Sequence, residues 1–122
     1  MPKPNEPQDI SERTSAFAIR IIKLYRHIQK DSVGRILGKQ LLRSGTSVGA
    51  NVHEAQGAQS RADFISKMSI AQKECLETRY WLHLFLESKI LSKTQLGDLQ
   101  DETTQLIKII SSILIASKKN LD

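Results

Sequence analysis

Residues 64–85 read FISKMSIAQKECLETRYWLHLF, and the spacing of their apolar and small side chains decides the fold class. The pattern is carried by seven positions separated alternately by four and three residues: Phe64, Met68, Ala71, Cys75, Thr78, Leu82 and Phe85. Side chains at these steps lie on one face of an α-helix. Because the pattern repeats every seven residues, it predicts a helix that packs nearly in line with its neighbours, as in a helical bundle.

Three further segments show the same spacing, over about 10–28, 33–56 and from 92 or 94 to 117. Their predicted inner faces are Thr14, Phe17, Ile21, Leu24 and Ile28; Leu37, Leu41, Ser44, Val48, Asn51 and Ala55; and Leu96, Leu99, Thr103, Leu106, Ile110, Ile113 and Ser117. Short connections make sequential helices antiparallel. We therefore predict an all-α, antiparallel up-down-up-down four-helix bundle over residues 10–119, after a disordered tail over residues 1–9.

The composition predicts a cytoplasmic protein. With a single cysteine, Cys75, the chain forms no internal disulfide, as is usual in a reducing compartment. The proline-rich start lacks the apolar core of a signal peptide. The longest apolar stretch, over 106–116, is interrupted by polar residues and is too short to cross a membrane.

Motifs for catalysis, metals and cofactors are missing from the sequence. His53 and Glu54 would begin a zinc-binding helix, but Gly57 stands where the second histidine is required. No glutamate is followed by a histidine at the spacing of di-iron bundles. Cys75 lies on the predicted inner face and is interpreted as a core residue. We expect no enzymatic activity, no metal and no cofactor.

One enzymatic alternative rests on Arg20 and His27. Their spacing resembles the arginine and histidine of HEPN ribonucleases, which are small helical proteins. That pair occurs late in the HEPN domain, whereas here it lies in the first helix. The match is therefore a weak one, and we treat cleavage of RNA as the least favoured hypothesis.

Positive charge is concentrated in the first two predicted helices. Residues 13–43 hold a single acid, Asp31, and eight basic residues: Arg13, Arg20, Lys23, Arg26, Lys30, Arg35, Lys39 and Arg43. They project away from the predicted inner faces, and neighbouring helices would place them side by side. Such a surface is typical of proteins that bind a phosphate backbone, although a solvated face that maintains solubility is the simpler alternative. Without interleaved aromatic residues, binding would depend on charge and shape.

Two features suggest a second partner for the bundle. Gly34, Gly38, Gly45 and Gly49 form one ridge of the second helix, where they would let another backbone come close. The third helix carries additional apolar residues outside its inner face. From these residues we predict an oligomer interface formed by Ile70, Glu74, Glu77, Trp81 and Leu84, in which the two glutamates would pair with a basic helix of a neighbouring subunit.

The stretch Gln40–Ala55, QLLRSGTSVGANVHEA, resembles the four-helix bundle proteins encoded in bacterial 23S rRNA intervening sequences. Residues 63–65 and the stretch AQKECLETRYWL over 71–82 carry the same likeness, which extends from about Phe17 to Ile115. The accessory variability determinant of diversity-generating retroelements shares this bundle. A fairly specific part of the pattern is its set of polar residues: Arg43, Ser44, Ser47, Asn51 and Glu54.

This resemblance implies a homopentameric barrel with a central channel, a positively charged surface and no known catalytic activity. In the retroelement branch the partner is a reverse transcriptase. The polar residues of the pattern are expected to form a hydrogen-bond network between helices or between subunits, with a structural role.

Two functional hypotheses follow. The first is a non-enzymatic, homo-oligomeric accessory protein that holds RNA or an RNA–DNA hybrid electrostatically on the first two helices. The alternative is a protein-interaction module that docks on a partner enzyme, such as a reverse transcriptase, without binding nucleic acid itself.

Overall fold

The computed structural model describes residues 7–119, with side chains from residue 10 onward, and this part of the chain is built of helices without a strand. The helices are α1 (Pro7–His27), α2 (Ser32–Gln56), α3 (Arg61–Glu87), the short α4 (Lys93–Leu96) and α5 (Leu99–Lys119). A 3-10 turn over Ile28–Lys30 joins α1 to α2. The predicted all-α class is confirmed, and none of the described helices is long and apolar enough to cross a bilayer.

The first helix begins at Pro7, three residues before the predicted start at Ile10. Proline is well tolerated in the first turn of a helix, because an N–H group there has no partner within the helix. The predicted tail over residues 1–9 therefore overlaps α1 at residues 7–9. Residues 1–6 of that tail lie outside the described part of the chain.

Side-chain caps fix the starts of α2 and α3. The Asp31 carboxylate accepts a hydrogen bond from the backbone N–H of Gly34 at 2.7 Å. The Ser60 hydroxyl accepts one from the N–H of Asp63 at 3.0 Å. Each bond satisfies a donor that has no partner within the first turn of its helix.

The predicted fourth helix is split, which the sequence analysis missed. Ser92 begins α4 with a capping box, in which its hydroxyl accepts from the Gln95 N–H and the Gln95 side chain accepts from the Ser92 N–H. Gly97 then adopts a positive φ of 59°, which a residue with a Cβ rarely occupies. The turn at Gly97 and Asp98 ends α4 and allows α5 to begin in a new direction.

The core lies between the four long helices and uses the predicted inner faces. Its largest fully buried side chains include Phe17, Ile21, Leu41, Met68, Leu82, Phe85, Leu106 and Ile110. In α5 the stripe is shifted slightly, because Leu114 is buried where Ile113 was expected. Leu37, Asn51 and Phe64 are only half-buried.

The glycine ridge of α2 admits a neighbouring helix, and that helix is α1 of the same chain. A Cβ at Gly45 would lie 2.8 Å from Cγ2 of Ile21, and one at Gly49 would lie 3.2 Å from the carbonyl oxygen of Thr14. At Gly38 it would lie 2.9 Å from Cδ1 of Ile28. Positions later in α1 thus face positions earlier in α2, and the glycines need no second chain to explain them.

Contacts between α2 and α3 follow the same reversed order. Near the middle of α2, the Ser44 hydroxyl lies 2.9 Å from the hydroxyl of Thr78 in α3. Near its end, Glu54 pairs with Lys67 at 3.4 Å, early in α3. The remaining side of α3 packs on α5, which returns to α1 and closes the four-helix arrangement.

Replacing Gly45 with alanine tests the close approach of α1 to α2. We expect Gly45→Ala to lower the free energy of unfolding by about 1–2 kcal/mol, because crowding against Ile21 exceeds the gain in helix propensity. Gly57→Ala is the matched control, since its Cβ would be 3.8 Å from the nearest atom, the Glu54 carbonyl oxygen. Urea unfolding should leave the control within about 0.5 kcal/mol of the parent. Equal stability of the two variants would contradict the packing argument.

Candidate nucleic-acid interface

Three of the eight predicted nucleic-acid-binding cations have carboxylate partners within the chain. Arg13 pairs with Glu102 of α5 at 2.6 Å, and Arg20 pairs with Asp98. On the other side of the bundle, Arg43 of α2 contacts two carboxylates of α3, Glu74 at 2.7 Å and Glu77. These three cations therefore lie beside carboxylates of α5, the α4–α5 turn and α3, and do not form part of an uninterrupted face of unpaired charge. That they bind nucleic acid stays a prediction.

The ion pairs alter the ionisation of the groups that form them. The hydrogen bond from Arg20 is the main cause that lowers the pKa of the exposed Asp98 carboxyl. For Arg43, desolvation by burial acts to lower the pKa, but hydrogen bonds to Glu74 and Glu77 outweigh it, so the pKa is raised. Both shifts keep the paired groups charged.

The other five predicted cations remain exposed: Lys23, Arg26, Lys30, Arg35 and Lys39. Among the described residues, no carboxylate lies within salt-bridge distance of any of them. All five fall within eight residues of Asp31 along the chain, on either side of the α1–α2 connection. Positive charge is thus concentrated at one end of the bundle.

Two lysines that the sequence analysis did not select share this end. A Cβ on Gly34 would lie 3.3 Å from Ile90, so the α3–α4 connection packs against the start of α2. Lys89 and Lys93 belong to that connection and to α4, and both are exposed. We call Lys23, Arg26, Lys30, Arg35, Lys39, Lys89 and Lys93 the basic end. The two lysines could have been predicted from the order of the helices, because the first and third connections of an up-down-up-down bundle lie at the same end.

Carboxylates at this end only partly offset the charge. Asp31 uses its side chain to cap α2, and Asp98 is paired with Arg20. Glu87, the last residue of α3, is exposed. The net potential of the basic end therefore stays positive, which favours a polyanionic ligand.

Comparison with known proteins identifies the family. The model of the 23S rRNA-intervening sequence protein family matches residues 6–112. The chain belongs to this family. A crystal structure of a protein of unknown function from the S23 ribosomal protein family of Bacteroides thetaiotaomicron VPI-5482 is similar, with 41% identity and a TM-score of 0.82 over 86% of this chain and 97% of that chain. A search of curated proteins finds no significant match.

The polar residues by which the chain resembles the 23S rRNA-intervening sequence protein family lie along the contact of α2 with α3. Three of them reach across to α3, namely Arg43, Ser44 and Glu54. The other two bond to the backbone of their own helix, since Ser47 donates to the Arg43 carbonyl at 2.6 Å and Asn51 to the Ser47 carbonyl at 2.9 Å. The family pattern thus contributes contacts between helices of one chain.

The residues of the predicted oligomer interface on α3 have different surroundings in the structure. Glu74 and Glu77 both pair with Arg43 within the chain, which offsets one of their two negative charges without a neighbouring subunit. Trp81 and Leu84 are half-buried, and Trp81 packs against the core. Its indole nitrogen, Nε1, is buried without a hydrogen-bond partner among the described residues. Ile70 is exposed, as are two neighbours in α3 that the prediction omitted, Leu76 and Tyr80.

The histidines and the cysteine were the other candidate groups of the sequence. Among residues 10–119, no group of three or more histidine, cysteine, aspartate and glutamate side chains is placed to hold a metal ion. His53 lies 3.0 Å from the Ser15 hydroxyl and 3.1 Å from that of Ser11, which places it beside α1. Cys75 is fully buried, and burial is the main cause that raises the pKa of its thiol to about 12.

Reactivity of Cys75 tests this placement in the core. At pH 8 a thiol with so high a pKa holds almost no thiolate, and no reagent reaches it in the folded chain. We expect negligible labelling by a thiol-reactive disulfide until denaturant unfolds the protein, after which one thiol per chain reacts. Rapid labelling of the folded protein would contradict the buried position.

Proposed function

We propose that this member of the 23S rRNA-intervening sequence protein family is a non-enzymatic accessory protein that holds RNA electrostatically at the basic end. The observation that carries the proposal is the set of exposed cations around the α1–α2 connection, none of which has a described carboxylate partner. Unpaired lysines and arginines displace the cations condensed on the phosphates of a nucleic acid, and the release of those ions supplies most of the free energy of non-specific binding. The name of the family, which refers to ribosomal RNA, supports RNA as the polyanion.

Discrimination between sequences is not expected from the basic end. Its side chains are lysine and arginine on the outer faces of helices, without an exposed aromatic residue among them. Contacts of this kind orient a nucleic acid and carry little base information. We therefore propose binding that depends on the shape of the RNA and weakens steeply as salt rises.

We also propose how the helices are arranged and how the chains assemble. The reversed order of contacts between α1 and α2 and between α2 and α3 supports an antiparallel up-down-up-down bundle. The resemblance to the family implies a homopentamer, and we propose that a neighbouring copy covers the side of α3 that carries the exposed Ile70. The single, free Cys75 fits a reducing cytoplasm.

A paired-variant experiment tests RNA binding at the basic end. Replacing Lys30 and Arg35 with glutamine should weaken binding of an RNA hairpin and reduce the slope of log affinity against log salt by about 0.7–0.9 for each cation that contacts a phosphate. Replacing Lys118 and Lys119, exposed at the end of α5, removes the same charge elsewhere. Equal effects of the two double variants would contradict a localised site, as would affinity that does not change with salt.

The proposed subunit contact on α3 has its own test. Ile70→Lys places a charge on a residue that is 40% exposed, and we expect it to reduce the mass measured by light scattering from an oligomer to a single chain. Ile19→Lys is the control, because Ile19 is 54% exposed on α1. If Ile70→Lys leaves the mass unchanged, the apolar residues of α3 are free to dock on a partner enzyme, which is the alternative function.

A further inference from the structure

A cavity of about 470 Å³ opens beside the basic end, between α1 and the α4–α5 turn. Its floor is apolar and consists of Leu24, Leu96 and Leu99, all of which are buried. Polar groups line its rim: Arg20, Lys23, His27 and Gln95. Pockets that bind small organic groups combine such a floor with a few polar groups and enclose about 300–1,000 Å³.

The capping box of α4 sets the polar groups at one side of this cavity. Because the Gln95 side-chain oxygen accepts from the Ser92 N–H, its amide nitrogen is the atom that lies 3.1 Å from Nε2 of His27. An amide nitrogen can only donate, so Nε2 of His27 accepts and the imidazole proton is on Nδ1. The second amide N–H of Gln95 and the imidazole proton have no acceptor among the described residues, and both are suited to the oxygen and nitrogen acceptors of a ligand.

Cations supply the second half of the site. Lys23 is exposed on the rim, and no described carboxylate pairs with it. Arg20 is on the same rim and is held by Asp98, whose side chain is 76% exposed. An anion that enters the cavity therefore meets the unpaired Lys23. It can also pair with Arg20 by replacing the exposed carboxylate of Asp98.

We propose that this cavity receives one unpaired nucleotide of an RNA bound at the basic end, with the base against the three leucines and a phosphate at Lys23 and Arg20. The inference rests on the proposed function and adds to it a preference for single-stranded nucleotides next to a duplex. Proteins that read RNA bind such splayed-out bases, and apolar side chains can pack on their faces. Asp98 competes with the phosphate for Arg20 and so limits the affinity.

The alternative role of Arg20 and His27 in cleavage receives no support from this geometry. Arg20 is paired with Asp98, and His27 makes its hydrogen bond to the Gln95 amide, so no titratable partner among the described residues sets His27 up to exchange a proton with a substrate. A binding role accounts for both residues.

Binding of two RNAs that differ only in an overhang tests the inference. The probes are a short blunt RNA duplex and the same duplex with a single-stranded overhang, compared by fluorescence anisotropy. We expect the overhang to tighten binding about tenfold, which corresponds to about 1.4 kcal/mol of apolar packing and phosphate contact. A 2-aminopurine placed in the overhang should change its fluorescence on binding.

Matched variants separate the cavity from the general charge of the basic end. Lys23→Gln should abolish the preference for the overhang, whereas Lys30→Gln, on the basic end but outside the cavity, should weaken both RNAs by the same factor. Asp98→Asn keeps a side chain that can cap a helix and should increase the preference, because it frees Arg20. Asp101→Asn, an exposed site outside the cavity, should leave the preference unchanged.

The outcomes distinguish the two proposals. Equal binding of the blunt and overhanging duplexes would overturn the cavity inference and leave RNA binding at the basic end standing. Failure of both RNAs to bind even at low salt would overturn both. Competition by free adenosine monophosphate at the same concentration as the overhanging RNA would also overturn the inference, because the cavity would then serve a free nucleotide.

Discussion

The close approach of α1 to α2 determines where the other groups of this bundle lie. At Gly38 and Gly45 of α2, the side chains of Ile21, Tyr25 and Ile28 occupy space that a Cβ would otherwise fill. A contact of this kind fixes both the distance between two helices and their register, because branched side chains leave little freedom to slide. On another side α1 faces α5 and the turn before it, where Arg13 reaches Glu102 and Arg20 reaches Asp98.

This packing of the helices also determines which cations have a carboxylate beside them and which do not. Arginines near the edges of α1 and α2 meet carboxylates of α5 and α3 and lose most of their influence on distant charges. Lysines and arginines on the outer faces, near the connections, meet only solvent. The long-range electrostatic field of the protein therefore arises mainly from this second group, although three of the five arginines of α1 and α2 belong to the first.

Periodicity in the sequence was sufficient to predict the helices and most of the core. A helix in a bundle must bury one row of apolar side chains, and the spacing of that row is visible in the sequence without knowledge of the neighbouring helices, as residues 64–85 illustrate.

The partners of charged side chains could not be predicted in this way. Glu102 lies 89 residues from Arg13, and Asp98 lies 78 residues from Arg20, so only the folded chain brings each pair together. Lys89 and Lys93 were not predicted for two reasons. The net charge of their half of the sequence is close to zero, so it shows no excess of cations. Their position near Gly34 follows only from the order in which the helices pack. Gly97 could have indicated the break between α4 and α5. The apolar residues on either side of it keep the regular helical spacing, and the prediction followed that spacing.

Trp81 gives the molecule an optical probe of its own packing. It is the single tryptophan of the chain, it packs against the core, and its indole nitrogen is buried without an acceptor among the described residues. The emission wavelength of an indole depends on how freely surrounding dipoles can relax around it, so entry of water at this point would shift the spectrum to the red. Circular dichroism, by contrast, follows the helices whether or not they are packed together. The two signals read from one unlabelled sample can therefore distinguish loosening of α3 on the core from loss of the helices themselves.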